Sequence, residues 1–154
     1  MPLTLQEEIK QSKPFSDLRE EADLNIIRTA NLLTDDFEKM LKPYGITGTQ
    51  YNVLRILRGA GPAGLCRNEV SARMLTRMPD ATRLLDRMEE AGLVVRARSE
   101  NDRRLVATQI TAKGRRLVDS LDGVATRQHS RALGHLSDQQ LKTLVKLLTL
   151  ARAR

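Results

Sequence analysis

Between Val70 and Ile110 the apolar period switches once, from helical to alternating, and arginines sit on the polar side of both halves. On a helical wheel of residues 79–91, Ala81, Leu84, Leu85 and Met88 fall within about 100° of one another, a stripe that must face a core. Pro79, Thr82, Arg83, Asp86, Arg87 and Glu90 take the other side, with Asp80 beside them to relieve the clustered positive charge. Pro79 suits a helix start because its φ is already helical and its missing N–H costs nothing there. Gly92 supplies the stop. Leu93–Arg98 and Leu105–Ile110 then read as two strands around the polar turn 99–104. A helix feeding directly into a hairpin leaves one compact solution, in which both share a core and both present arginine outward.

The flanking sequence is helical. Residues 1–14 are polar and read as a loose arm or short extra helix. A long helix is expected from Ser16 to about Lys42, with Leu18, Ala22, Ile26, Leu33, Phe37 and Met40/Leu41 on one broad face, until Pro43 and Gly45 break it. Such a helix is too long for a small domain to cover unaided, and a partner chain is one natural cover. Thr47-Gly48-Thr49-Gln50 matches a capping box, opening a helix that Gly59-Ala60-Gly61-Pro62 ends. A further helix spans 67–75, with Val70, Met74 and Leu75 inward. After the hairpin, Thr111 opens a helix to about Gly134, interrupted or bent near Gly123, and Ser137-Asp138-Gln139-Gln140 caps a last one. The order is α-α-α-α-β-β-α-α, mainly α with a small β-hairpin. Residues 46–112 form the central module, with helical regions at 15–45 and 113–154.

Charge is concentrated in that module. Residues 1–45 hold six basic against nine acidic side chains, while residues 46–118 hold 14 against seven, and 13 of those 14 are arginine. Arginine suits bidentate contacts with phosphate and guanine. The mixed face of Pro79, Asp80, Thr82, Arg83, Asp86 and Arg87 fits a DNA major groove, and the hairpin carrying Arg96, Arg98, Asp102, Arg103 and Arg104 fits the neighbouring minor groove. Asp102 beside two arginines can brace one guanidinium and leave another to extend. Arg67 and Asn68, at the start of a helix, are candidate phosphate contacts.

Other classes find less support. Two Phe, two Tyr and no Trp supply few stacking platforms for single-stranded nucleic acid. A recognition helix cannot enter the deep, narrow groove of A-form RNA. No catalytic constellation or glycine-rich phosphate loop stands out, so no enzyme activity is expected. Cys66, His129 and His135 have no zinc-like spacing, and neither metal nor cofactor is expected. The single Cys66 suits a reducing cytoplasm, and the N-terminal residues have no apolar run long enough for a signal peptide or membrane span. Cys66 is read as a small buried residue, with thiol-based redox sensing as an alternative. A module that binds protein and uses its charge only for solubility is another.

The runs TGTQYNVL at 47–54, Gly61-Pro62, TRLLDRMEEAGLV at 82–94, Asp102-Arg103-Arg104 and ITAKG at 110–114 resemble the MarR family of winged helix-turn-helix regulators. The resemblance spans roughly residues 18–152. It implies a homodimer with interleaved terminal helices that sets two winged modules on a near-palindromic operator in double-stranded DNA. It also implies repression relieved by a small aromatic or anionic effector, held between the dimer helices and the winged module. No motif assigns the residues of that pocket, and Arg28, Tyr44 and Tyr51 are only candidates. By the same resemblance Arg104 is the minor-groove arginine and Asp102 its brace. Leu105 departs from the pattern, standing where a small residue is commoner.

Overall fold

The computed structural model describes residues 1–153. Thr4 and Glu7 cap each other reciprocally to start a short helix, α1 (Leu5–Glu8), so the expected loose arm contains one helical turn. Helix α2 (Leu18–Leu41) begins at Asp17, whose carboxylate accepts the N–H groups of Arg19 and Glu20. Its 24 residues extend about 36 Å at 1.5 Å per residue. A 3-10 turn at Lys42–Tyr44 ends in Gly45, whose φ of 71° reverses the chain. The reciprocal cap between Thr47 and Gln50 then opens α3 (Gly48–Ala60).

A two-residue strand, β1 (Leu65–Cys66), precedes α4 (Arg67–Arg73). It pairs antiparallel with β3 (Val106–Ile110), which pairs in turn with β2 (Val94–Arg98), giving the order β1-β3-β2. The alternation in the sequence predicts only β2 and β3. Two residues are too few to show an alternation, so the third strand left no periodic trace. Helix α4 is shorter than expected, and Leu75, expected to face inward, lies outside it and is 88% exposed.

Helix α5 (Ala81–Glu90) starts two residues after Pro79, with Asp80 as its cap accepting the Arg83 N–H at 3.3 Å. Its end is as expected. Gly92, at φ 74°, donates to the Glu89 carbonyl at 2.9 Å, and Leu93 donates to the Met88 carbonyl at 3.0 Å. These two bonds satisfy carbonyls that the helix would otherwise leave bare, and only the left-handed glycine lets the chain make both. Helix α6 (Ala112–Leu133) runs through Gly123 without the interruption that glycine suggested. Helix α7 (Asp138–Arg152) follows the Ser137–Gln140 capping box.

One core joins these elements. Leu41, Leu54, Leu57, Val70, Leu85, Met88, Val94, Val118 and Leu121 are all essentially inaccessible, and burying each such side chain contributes roughly 1.5–3 kcal/mol. On the surface of the core, Arg58 joins α3 to α6 by pairing with Asp119 at 2.7 Å and Asp122 at 2.8 Å. The terminal helices differ. Ile26, Ile27 and Leu32 of α2 and Leu144, Val145, Leu147 and Leu150 of α7 are exposed, and α7 buries no residue.

Candidate functional site

The stripe predicted for α5 faces inward. Leu85 and Met88 are buried, Ala81 and Leu84 half-buried, and Thr82, Arg83, Arg87 and Glu90 exposed. Pro79 is exposed before the helix, and the two acids of the predicted set are engaged within the protein. Asp80 caps α5, and Asp86 forms an ion pair with Arg96. Arg83 and Arg87 make no ion pair among the described residues.

Arg96 is also held by Glu89. Its backbone N–H reaches Glu89 Oε1 at 2.9 Å, and its Nε and Nη2 reach Oε2 at 3.0 and 2.7 Å. These bonds keep the Glu89 carboxyl below its usual range and push the Arg96 guanidinium above its own. Arg96 is therefore a strap from β2 to α5 and not a free cation at the surface. Glu89 was missed in the sequence because it lies seven residues from Arg96 in a different element. Further along β2, Arg98 is exposed and unpaired among the described residues.

Asp102 has a different role from the one expected. Its Oδ1 accepts the backbone N–H of Arg104 at 3.0 Å, and its carbonyl accepts the Leu105 N–H at 2.9 Å. Among the described residues it makes no ion pair with a guanidinium. An aspartate two residues before the N–H it accepts closes a local turn, so Asp102 shapes the backbone that carries Arg104. The Ser99 N–H donates to the Leu105 carbonyl at 2.8 Å and shuts the loop. Arg103 and Arg104 are exposed at the tip.

These elements border one cleft of about 310 Å3, lined by Cys66, Arg67, Asn68, Thr82, Leu85, Arg96, Arg104, Leu105, Val106 and Thr108. Arg67 Nη1 donates to Thr82 Oγ1 at 3.0 Å, tying the start of α4 to the start of α5. Asn68 is exposed beside it. Cys66 is half-buried at the cap of α4 and not within the core, and its N–H donates to Glu69 Oε2 at 2.8 Å. That bond holds the Glu69 carboxyl below its usual range.

A second cleft, of about 360 Å3, lies between α2, α3, α6 and the segment after α4. Phe37, Tyr51 and His129 line it, with Phe37 stacked on His129 at a centroid distance of 5.5 Å and an interplanar angle of 18°. Burial raises the Tyr51 phenol above its usual pKa. Arg55 and Glu38 stand at the walls, and Glu38 Oε1 accepts the Gly48 N–H at 2.8 Å. Of the three candidates named from sequence, only Tyr51 lines this cleft. Arg28 pairs instead with Glu8 at 3.5 Å. Among the described residues no cluster of His, Cys, Asp and Glu could hold a metal ion, and no helix is long and apolar enough to cross a membrane.

The family model described as MarR family matches residues 44–105. A MarR transcription factor from Planctomyces limnophilus, solved by crystallography, is 34% identical, with a TM-score of 0.67 over 89% of this chain and 99% of that one. A mutant MarR from E. coli complexed with operator DNA is 26% identical, with a TM-score of 0.78 over 89% of this chain and 99% of that one. The HTH-type transcriptional repressor IacR of Pseudomonas putida is 26% identical over 123 residues, 80% of this chain and 72% of the repressor.

Proposed function

The chain belongs to the MarR family, and on that premise we propose that it is a dimeric repressor that binds a near-palindromic operator and is released by a small effector. One observation carries the reading. The start of α4, the start of α5 and the wing tip surround a single cleft and present Arg67, Thr82 and Arg104 to the same opening. Residues 46–112 are the winged DNA-binding module, with 15–45 and 113–154 as the dimerisation regions. Thr82, Arg83 and Arg87 read base edges, Arg98, Arg103 and Arg104 grip the minor groove and backbone, and Arg67 and Asn68 meet phosphate. Asp80, Asp86, Arg96 and Asp102 position these groups from within the protein. No catalytic role falls to any residue, and the cytoplasm is the setting in which such a regulator meets DNA.

The exposed apolar faces of α2 and α7 support the dimer. The aromatic walls of the second cleft, with Arg55 at its edge, support an aromatic or anionic effector. Fluorescence anisotropy with duplexes selected from a random pool tests the reading. The selected site should be near-palindromic, with half-sites about 34 Å apart or a multiple of that, and affinity should fall steeply with salt. Retained affinity between low and high salt, or failure to select any duplex, refutes it. A thermal-shift screen of hydroxybenzoates and other small carboxylates tests the effector.

A further inference from the structure

The seven residues from Met74 to Asp80 connect α4 to α5 and fix where α5 begins. Their middle is held weakly by packing: Met74 and Met78 reach the core edge, but Leu75, Thr76 and Arg77 are all exposed. Between Met74 and the Asp80 cap, a single backbone N–H has a protein acceptor among the described residues. It is that of Leu75, which donates to Asn52 Oδ1 at 3.0 Å. Asn52 sits on α3, whose Val53, Leu54 and Leu57 are locked in the core. The bond therefore ties the connector to a helix packed in the core, across 23 residues of sequence.

We propose that Asn52 is a positioning residue, a latch that holds the 74–80 connector and through it sets the pose of α5 for DNA. The inference rests on the DNA-binding reading and deepens it, because both partners of the latch also line the second cleft. Asn52, Leu75 and Thr76 line it together with Phe37 and His129. A molecule seated in that cleft bears directly on the latch. This gives the cleft a physical route to the recognition helix: a contact with two arrangements, open and closed, that occupancy can bias.

The test compares full-length wild type with Asn52→Ala, the near-isosteric Asn52→Leu, and Asn52→Asp, which keeps an acceptor oxygen at the same reach. Hydrogen exchange of the free dimer reads the latch, and anisotropy with a duplex selected by wild type reads the pose. Losing one hydrogen bond that restrains the competent arrangement is worth roughly a two- to thirteen-fold change in the equilibrium between the two arrangements. The apparent Kd is the intrinsic Kd divided by the competent fraction, so it rises by the factor by which that fraction falls. Asn52→Ala and Asn52→Leu should speed exchange of the Leu75 amide and weaken binding within that range, with thermal midpoints near wild type. Asn52→Asp should restore both readouts. The proposal is overturned if the acceptor-less variants exchange and bind as wild type does, or if Asn52→Asp is as impaired as they are. If wild type selects no duplex, the DNA reading fails, and the exchange data still decide whether the latch exists.

Discussion

Arg96 and Glu89 meet through three hydrogen bonds, of 2.9, 3.0 and 2.7 Å, that involve both the backbone and the guanidinium of the arginine. Asp86 pairs with the same guanidinium. The wing and the helix beside it are thus tied together by side chains of both, which favours one angle between them. Pre-setting that angle spares the complex the entropy of ordering two elements separately.

Arg96→Ala should therefore loosen the wing and not remove a direct contact. The thermal midpoint should fall by a few degrees, and affinity should drop for every duplex to a similar extent. Lysine at 96 should rescue only partly, because a single ammonium cannot reproduce the planar fork. Thermal melts and anisotropy on the same preparations check both. A change confined to one base position would instead make Arg96 a reader of sequence.

Arg104 and Arg83 should separate by phenotype. Arg104→Ala should weaken binding to all sequences and lower the slope of log K against log salt by about one. Arg83→Ala should relax preference at one position, at about 1–3 kcal/mol if a bidentate base contact is lost. A salt titration and a panel of single-base operator variants measure the two. The double change leaving operator binding intact in a folded dimer would contradict the assignment of this surface.

The exposed apolar faces of α2 and α7 call for a partner. Leu147→Glu or Ile27→Asp should shift the protein to monomer in sedimentation equilibrium and lower its thermal midpoint, since association stabilises the folded state by mass action. Unchanged mass at micromolar concentration would move the interface elsewhere.

Acid should destabilise the fold in a defined window. The Arg58 guanidinium holds the Asp122 carboxyl below its ordinary 3.8, and Arg96 holds Glu89 below its ordinary 4.5. Carboxyls with lowered pKa in the folded state stabilise it above their unfolded values, and that stability is lost as pH falls through the folded ones. Thermal melts between neutral pH and pH ~2.5 should show a decline starting near pH 4. Asp122→Asn should be less stable at neutral pH and show a shallower acid decline. An equally steep decline in that variant would remove Asp122 from the account.

Local interactions were legible in the residues. The reciprocal caps at Thr47–Gln50 and Ser137–Gln140, the stop at Gly92, and the inward stripe of Leu85 and Met88 all formed as read. Each involves residues within about four positions, where helical geometry alone decides who meets whom. Tertiary structure decided which charges stay available. Asp102 turned to the backbone of Arg104, Arg96 was taken up by Glu89 and Asp86, and Asn52 caught the Leu75 N–H across 23 residues. The addition of β1 to β3 and the unbroken passage of α6 through Gly123 were set at the same level. These pairings depend on the packing angles of whole elements, which periodicity does not encode. The sequence by itself determined a helix and a hairpin rich in arginine; only the packed fold determined which of those arginines face outward and which hold the rest in place.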